Sequence, residues 1–178
     1  MSSQTPTYLL DKSVARKAIT GIARAELGQS LTKEEVDCLS LLQKAKRRNL
    51  RLFVSVETSN ILRRFSRKPE VQTFLASVEV MQAGRYFKRW TRRLHEHGFT
   101  REDAKILGLG TFGTDEAGEI LGVQAIITLD QPFINNYKAN LTFLQDRLKA
   151  MTVDLPPPFR DAALPSVTRP EGILALAK

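Results

Sequence analysis

The sequence has few of the side chains that build disulfides and zinc sites. Cys38 is the only cysteine, and the chain has two histidines, His95 and His97. One cysteine cannot close a disulfide within the chain, and such scarcity is typical of proteins in a reducing compartment. Because zinc sites are built mainly from Cys and His, we expect no zinc centre. Cys38 falls in an apolar helical pattern, which predicts a buried, unreactive thiol.

Long apolar runs are also missing. No stretch of 18 or more apolar residues occurs, so the sequence predicts no membrane-spanning helix. Residues 1–6 are polar and lack the apolar centre of a signal peptide. From these absences we expect a cytoplasmic protein with no membrane partner. The 178 residues, of which 42% are apolar, suffice for one domain with a substantial core.

Short apolar runs and helical patterns alternate along the chain. The apolar runs predict strands at residues 7–10, 50–54 and 124–129. Helical spacing predicts helices at residues 13–27, 32–48, 55–66, 69–97, 100–112 and 137–151, with Gly84 able to bend or divide the longest. This order predicts an α/β fold, a parallel sheet with helices on both faces. We expect a domain over residues 1–152 and a Pro-rich C-terminal tail over 153–178, either packed along it or loose.

Three aspartates stand where ligands commonly bind. Asp11 and Asp130 each follow an apolar strand pattern, and Asp103 falls in the first turn of a predicted helix. Right-handed crossovers bring the carboxyl ends of parallel strands to one edge of a sheet, where ligands usually bind. Carboxylates that converge there repel one another, and a divalent cation such as Mg²⁺ relieves the repulsion. The alternative is that each aspartate only caps a helix or a turn.

The motifs around these aspartates resemble those of PIN-domain proteins. Residues 9–14, Leu-Leu-Asp-Lys-Ser-Val, resemble the opening strand motif of that family. Residues 126–133, Ile-Ile-Thr-Leu-Asp-Gln-Pro-Phe, resemble its closing motif, a strand followed by Thr-x-Asp and an aromatic residue or leucine. Residues 99–107, Phe-Thr-Arg-Glu-Asp-Ala-Lys-Ile-Leu, look like the segment that carries the third acid of the family. The resemblance spans residues 7–145.

This resemblance implies a three-layer α/β/α sandwich with a central parallel sheet and a ribonuclease site that depends on Mg²⁺ or Mn²⁺. By the family pattern Asp11, Asp103 and Asp130 would be the catalytic, metal-holding acids, and Thr128 would support them by hydrogen bonding. Many PIN-domain proteins are toxins of bacterial toxin–antitoxin pairs, and others process or degrade RNA. The resemblance therefore implies an RNA substrate, and it suggests an acidic, antitoxin-like protein partner and a homodimer.

The chain departs from the family pattern at three places. Asn60 lies nearest to the position where the family usually has a Glu, with Glu57 one turn earlier. Lys12 stands where a small polar residue is common, and its ammonium could occupy part of the metal position. The segment between Asp103 and Asp130 is longer than is usual. This insertion offers three candidates for a further acid, Asp115, Glu116 and Glu119.

Positive charge dominates the chain. Lys and Arg number 27 against 19 Asp and Glu, which gives a net charge of +8. Such a balance favours RNA or another polyanion as a partner, although an acidic protein or ordinary solubility charge would also explain it. The cations concentrate at residues 44–51, 63–68 and 85–93. In the third cluster we predict that four side chains contact RNA, namely Arg85, Lys88, Arg89 and Arg92.

Three functional hypotheses are consistent with these patterns. The first is a metal-dependent endoribonuclease of toxin or RNA-processing type. The second is a PIN-like domain that has lost catalysis and binds RNA or a partner protein, which Asn60 and Lys12 favour. The third is a regulatory or scaffold α/β protein in which the aspartates are helix caps.

Overall fold

A computed structural model describes residues 5–48 and 50–176, with Arg48 described by its backbone alone. Residues 1–4 lie outside these ranges. They belong to the polar segment 1–6, for which the sequence predicts no signal peptide. None of the helices within the described ranges is both long enough and apolar enough to cross a membrane.

Strands and helices follow one another along the described chain. The strands are β1 (Thr7–Leu10), β2 (Arg51–Ser55), β3 (Glu79–Ala83), β4 (Gly113–Thr114), β5 (Ala125–Ile127) and β6 (Ser166–Thr168). The α-helices are α1 (Lys12–Glu26), α2 (Lys33–Arg48), α3 (Val56–Arg63), α4 (Pro69–Leu75), α5 (Phe87–Glu96), α6 (Arg101–Phe112), α7 (Gln131–Thr152) and α8 (Pro170–Ala175), and a 3₁₀ turn covers Phe159–Asp161.

The strands form one mixed, mostly parallel sheet in the order β4-β3-β2-β1-β5-β6. Leu9 of the central strand β1 lies opposite Phe53 of β2 and Ile126 of β5. Only β4, among the described strands, runs antiparallel to its neighbour. The predicted α/β class is confirmed, and the sheet has more strands than the three predicted. Since β1, β2 and β5 are parallel, their carboxyl ends share one edge.

Two hydrophobic cores lie on opposite faces of the sheet. Successive strand residues point to opposite sides, so Leu9 packs with Trp90 in the core under α5, α6 and α7, whereas Leu10 packs with Leu41 under α1 and α2. Helices on both faces are compatible with a three-layer α/β/α sandwich. Cys38 is 1% exposed, as predicted, and burial raises the pKa of its thiol to about 12, which keeps it protonated and unreactive.

The single helix predicted for residues 69–97 is wrong, because β3 interrupts it. Val80 of β3 lies opposite Val54 of β2, and Met81 is fully buried. The three- and four-residue apolar spacing fits a helix, but pairing with β2 provides the backbone hydrogen bonds of a strand. Gly84 does divide the segment. A Cβ there would lie 2.3 Å from the Phe112 carbonyl oxygen, so only glycine permits this approach.

The Pro-rich segment after residue 152 is packed along the domain and extends the same sheet. β6 runs parallel to β5, with Val167 opposite Ile126, and Ile173 of α8 is buried in the core that contains α2. Pro165 and Pro170 flank this edge strand without interrupting it, which is where a sheet tolerates proline. The segment is therefore a structured edge of the fold, a feature that its proline content concealed in the sequence.

Helices α5 and α6 pack closely at Gly108. A Cβ there would lie 2.2 Å from Thr91 Oγ1 and 3.0 Å from the Phe87 ring. We predict that Gly108→Ala lowers the free energy of unfolding by about 1–2 kcal/mol. Overpacking typically costs about 1–3 kcal/mol, and the gain in helix propensity offsets about 1 kcal/mol of it. Urea unfolding measures the difference.

Gly21→Ala is the matched control for this experiment. Gly21 is also a buried helical glycine, but the nearest atoms to its added Cβ, on Glu35 and Leu39, are 3.3 Å away. Only small shifts are needed there, so stability should stay within about 1 kcal/mol of the parent. Equal stability of the two variants would contradict a close helix contact at Gly108.

Candidate active site

Asp11 lies directly after β1 and caps α1. Its carboxylate accepts hydrogen bonds from the backbone N–H of Lys12 at 2.8 Å, the Ser13 hydroxyl at 2.9 Å and the Thr128 hydroxyl at 2.9 Å. The backbone N–H of Asp11 donates to the Ile127 carbonyl at 2.9 Å. A helix cap alone needs only the local N–H donor. The two hydroxyl donors hold this carboxylate in one orientation beyond what capping requires.

Thr128 connects Asp11 to the turn that contains Asp130. The side chain is fully buried, and its hydroxyl donates to Asp11 while it accepts the backbone N–H of Asp130 at 3.0 Å. Ser13 has a parallel role, because its hydroxyl donates to Asp11 and accepts the Leu129 N–H at 3.1 Å. Sequence reasoning missed Ser13, since serine in a first helical turn usually signals only capping.

Asp130 begins α7 at the carboxyl end of β5. Its carboxylate accepts the backbone N–H of Phe133 at 3.1 Å, and Pro132 lies in the first turn. This cap starts the helix at Gln131, six residues before the predicted start at Tyr137. The Asp130 side chain is exposed, so its carboxylate is accessible from the carboxyl edge of the sheet.

Asp103 lies in the first turn of α6, where the Thr100 hydroxyl accepts its backbone N–H at 3.1 Å. Burial raises the pKa of the half-buried Asp103 carboxyl, a hydrogen bond with Thr100 lowers it, and the charges of Asp130, Asp11 and Glu102 raise it further. The net effect is an increase. The structure therefore brings the three predicted aspartates close enough that Asp11 and Asp130 disfavour a negative charge on Asp103.

Two ion pairs involve α6, the helix that carries Asp103. The Lys12 ammonium pairs with Glu102, which raises the pKa of Lys12 and lowers that of Glu102. The Lys12 ammonium is thus paired with Glu102, the neighbour of Asp103 in the chain, at the rim of the site. Lys105 of α6 lies 3.6 Å from Glu57 of α3. Sequence reasoning did not single out Glu102.

The structure does not bring Asp115, Glu116 or Glu119 to this edge. Asp115 is 5% exposed and accepts a 2.9 Å hydrogen bond from Arg51, the first residue of β2, at the opposite edge of the sheet. Burial opposes its charge, but Arg51 and the N–H of Glu119 hold the pKa of Asp115 below its usual value. Glu116 and Glu119 are exposed in the following turn, and Asn60 is exposed on α3.

A divalent cation would find carboxylate oxygens at the carboxyl edge but no complete cage. Within residues 5–48 and 50–176, no group of three or more His, Cys, Asp or Glu side chains is arranged to hold a metal ion. Mg²⁺ commonly binds through one or two carboxylates and keeps several waters. Asp11, Asp103 and Asp130 fit this mode because they supply oxygen ligands and excess negative charge.

The four cations predicted to contact RNA occupy different surroundings. Lys88 and Arg92 are exposed and line a groove between α5 and α6, whereas Arg89 is exposed on α5 outside the lining of that groove. The guanidinium of Arg85 lies 5.1 Å from the centre of the Tyr86 ring. Tyr86 in turn packs against the rings of Phe112 and Phe159.

Asp103 and Glu102 should have opposite effects on stability. The folded state raises the pKa of Asp103, so it binds that proton more tightly than the unfolded chain. The free energy of unfolding therefore falls as the pH rises from about 3.9, the unfolded pKa, through the folded value. We predict that Asp103→Asn raises the melting temperature at neutral pH, and that this gain shrinks near the unfolded pKa.

Glu102→Gln in the same helical turn is the control. Lys12 lowers the pKa of Glu102 in the folded state. Glu102 therefore adds to the free energy of unfolding above the unfolded pKa of about 4.3, and this stabilisation is lost as the pH falls through the folded pKa. This exposed pair is worth at most about 1 kcal/mol, so Glu102→Gln should slightly lower the melting temperature at neutral pH. Shifts of the same sign in both variants would refute the electrostatic difference between the two neighbours.

The resemblance to PIN-domain proteins stays a prediction from three short motifs. Residues 9–14, 99–107 and 126–133 carry the resemblance to PIN-domain proteins, and the fold places an aspartate of each near the same edge of the sheet. No protein-family model, no curated protein sequence and no solved structure matches this chain.

Proposed function

We propose that this chain is a PIN-like endoribonuclease that hydrolyses RNA phosphodiester bonds with Mg²⁺ or Mn²⁺. The observation that carries the proposal is that Asp11 and Asp130 follow the adjacent parallel strands β1 and β5 and are joined through Thr128, with Asp103 near enough for both charges to raise its pKa. The three motifs that resemble the PIN family contain these same residues. An RNA substrate and a single, buried cysteine suit a cytoplasmic enzyme of toxin or RNA-processing type.

The surroundings of Asp103, burial first, oppose its negative charge at a cost that helix capping does not explain. An aspartate in a first helical turn is normally stabilised by the helix dipole. Asp103 instead has a raised pKa, because burial and two neighbouring aspartates oppose its charge. Titratable groups perturbed by burial and like charges are concentrated at functional sites. A bound cation would remove this cost, and a polar cap without a ligand would not.

The residues of the chain have separable roles in the proposed site. Ser13 and Thr128 orient the Asp11 carboxylate by donating two hydrogen bonds to the same oxygen, Oδ2. Burial and the charges of Asp130, Asp11 and Glu102 raise the pKa of Asp103, so a cation held beside this carboxylate would favour its charged form. Bound Mg²⁺ or Mn²⁺ would supply positive charge that stabilises the charge developing on the phosphate.

A second function, RNA binding without cleavage, is favoured by a different set of observations. Asn60 is exposed and neutral where the family pattern has an acid, and Lys12 places a cation at the rim of the site. In the described parts of the chain, no three acidic side chains form a ready metal cage. This alternative predicts salt-sensitive RNA binding with no turnover.

An RNA cleavage assay separates the two functions. The protein is incubated with end-labelled RNA in Mg²⁺, in Mn²⁺ or in EDTA, and the products are separated by electrophoresis. We predict cleavage with either metal and none in EDTA. Asp11→Asn should reduce the rate more than about 100-fold, because even changes to residues behind metal ligands often cost 10–100-fold.

Asp146→Asn is the matched control for Asp11→Asn. Asp146 is an exposed aspartate on α7, and the change removes the same charge without touching the carboxyl edge. Its cleavage rate should equal that of the parent. RNA binding without cleavage in either metal would establish the second function, and equal activity of the two variants would exclude Asp11 from the site.

A further inference from the structure

A groove of about 400 Å³ lies between α5 and α6 and is lined by basic side chains from both helices. Lys88, Arg92 and His95 come from α5, and Arg101 and Lys105 come from α6. Of these cations, the sequence pattern predicts RNA contact for Lys88 and Arg92 only. It predicts no such role for Arg101 or Lys105 of α6. The groove therefore combines cations from two segments that helical spacing alone cannot associate.

The positive charge of this groove is largely uncompensated by the protein. Within residues 5–48 and 50–176, Lys88, Arg92 and Arg101 form no ion pair, while Lys105 pairs with an acid on α3 at 3.6 Å. His95 contacts the Phe99 carbonyl through Nδ1 at 2.9 Å, which leaves Nε2 for a ligand. The unpaired cations among them attract a polyanion, and a phosphate backbone supplies anions at regular intervals.

The groove also has an apolar surface and a hydroxyl group without a partner. Phe87 and Ala104 contribute to its lining, and the close helix contact at Gly108 places the Phe87 ring against α6. Thr91 Oγ1, also from the lining, is buried and forms no hydrogen bond within the described structure. Cations beside an aromatic ring are the combination that holds single strands, because the bases of a single strand can contact the ring. A duplex keeps its bases stacked inside.

The groove and the aspartates use different faces of the first turns of α6. Each residue turns the helix by about 100°, so Arg101, Ala104 and Lys105 share one face and Asp103 lies on the opposite one. Glu57, the partner of Lys105, belongs to the helix that follows β2, whose end lies at the carboxyl edge of the sheet. A strand that leaves the groove thus reaches Asp103 by crossing the start of α6.

We propose that the groove between α5 and α6 binds the ribose-phosphate backbone of single-stranded RNA and leads it to the three aspartates. This inference deepens the proposed function and rests on it for the direction in which the strand runs. The phosphates lie against Lys88, Arg92, Arg101 and Lys105, and a base or ribose lies against Phe87.

The binding test uses fluorescence anisotropy in EDTA, where no cleavage occurs. The probe is a labelled single-stranded RNA of about 15 nucleotides, near the upper size of a typical single-strand site. Arg92→Glu combined with Arg101→Glu should weaken binding at least 10-fold. Two lost phosphate contacts should also reduce the slope of log K against log salt by about 1.4. Duplex RNA of the same length should bind more weakly than the single strand.

Arg63→Glu combined with Arg64→Glu is the matched control. Both arginines are exposed near the end of α3, outside the groove lining, and the change in net charge is identical. The control should change affinity less than about 3-fold, as expected for loss of unspecific attraction alone. Three results would each refute RNA binding by the groove. They are equal losses of affinity in the two double variants, equal binding of duplex and single strand, and no RNA binding by the parent.

Two further variants keep the test decisive. If the charge reversal unfolds the protein, Lys88→Gln combined with Arg92→Gln changes two exposed side chains without reversing charge and should still weaken binding. Asp103→Asn should bind RNA in EDTA like the parent and lose cleavage in Mn²⁺. If the parent binds RNA through the groove but does not cleave it, the proposed nuclease function is refuted and the groove proposal stands. If the groove variants cleave RNA as fast as the parent, the groove proposal is refuted and the nuclease function stands.

Discussion

The hydrogen bonds that join Asp11 to the turn after β5 are the interaction on which the candidate site depends. They cross between the two central strands, so the position of the carboxylate follows from the pairing of β1 with β5. Thr128 and Ser13 each contact Asp11 with a hydroxyl and the turn after β5 through a backbone N–H. The site thus rests on rigid strands, while its third aspartate arrives on a helix whose position depends on packing.

Opposite charges dominate two adjoining surfaces of the protein. The carboxyl edge of the sheet gathers acids that repel one another, and the neighbouring groove gathers cations. Repulsion between like charges within each surface opposes folding. A divalent cation on the first and a phosphate backbone on the second would relieve both, and a nuclease needs these two ligands side by side. The alternative of simple caps accounts for each aspartate separately but not for their mutual effect on Asp103.

Sequence patterns correctly predicted three helices whose starts are set by a nearby capping residue. Helices α1, α3 and α6 begin within one residue of their predicted starts, because the side chains of Asp11, Ser55 and Thr100 cap them and a cap acts within four residues. β3 was mistaken for helix, since its strand conformation comes from pairing with β2, and proline concealed β6 at the sheet edge. The prediction that Asp103 lies near Asp130 rested only on the family resemblance. The groove could not be predicted, because its cations from α5 and α6 meet through a helix contact that neither pattern encodes.

Paramagnetic broadening by Mn²⁺ tests most directly whether the aspartates bind a metal. Backbone amide resonances of the ¹⁵N-labelled protein are recorded as Mn²⁺ is added below one equivalent. A site formed by Asp11, Asp103 and Asp130 predicts that the amides of residues 11–13, 103 and 128–131 broaden first, and that Asp11→Asn abolishes this selectivity. Broadening that centres on Asp115, spreads evenly over the acidic surface or does not occur would contradict a metal site at the carboxyl edge of the sheet.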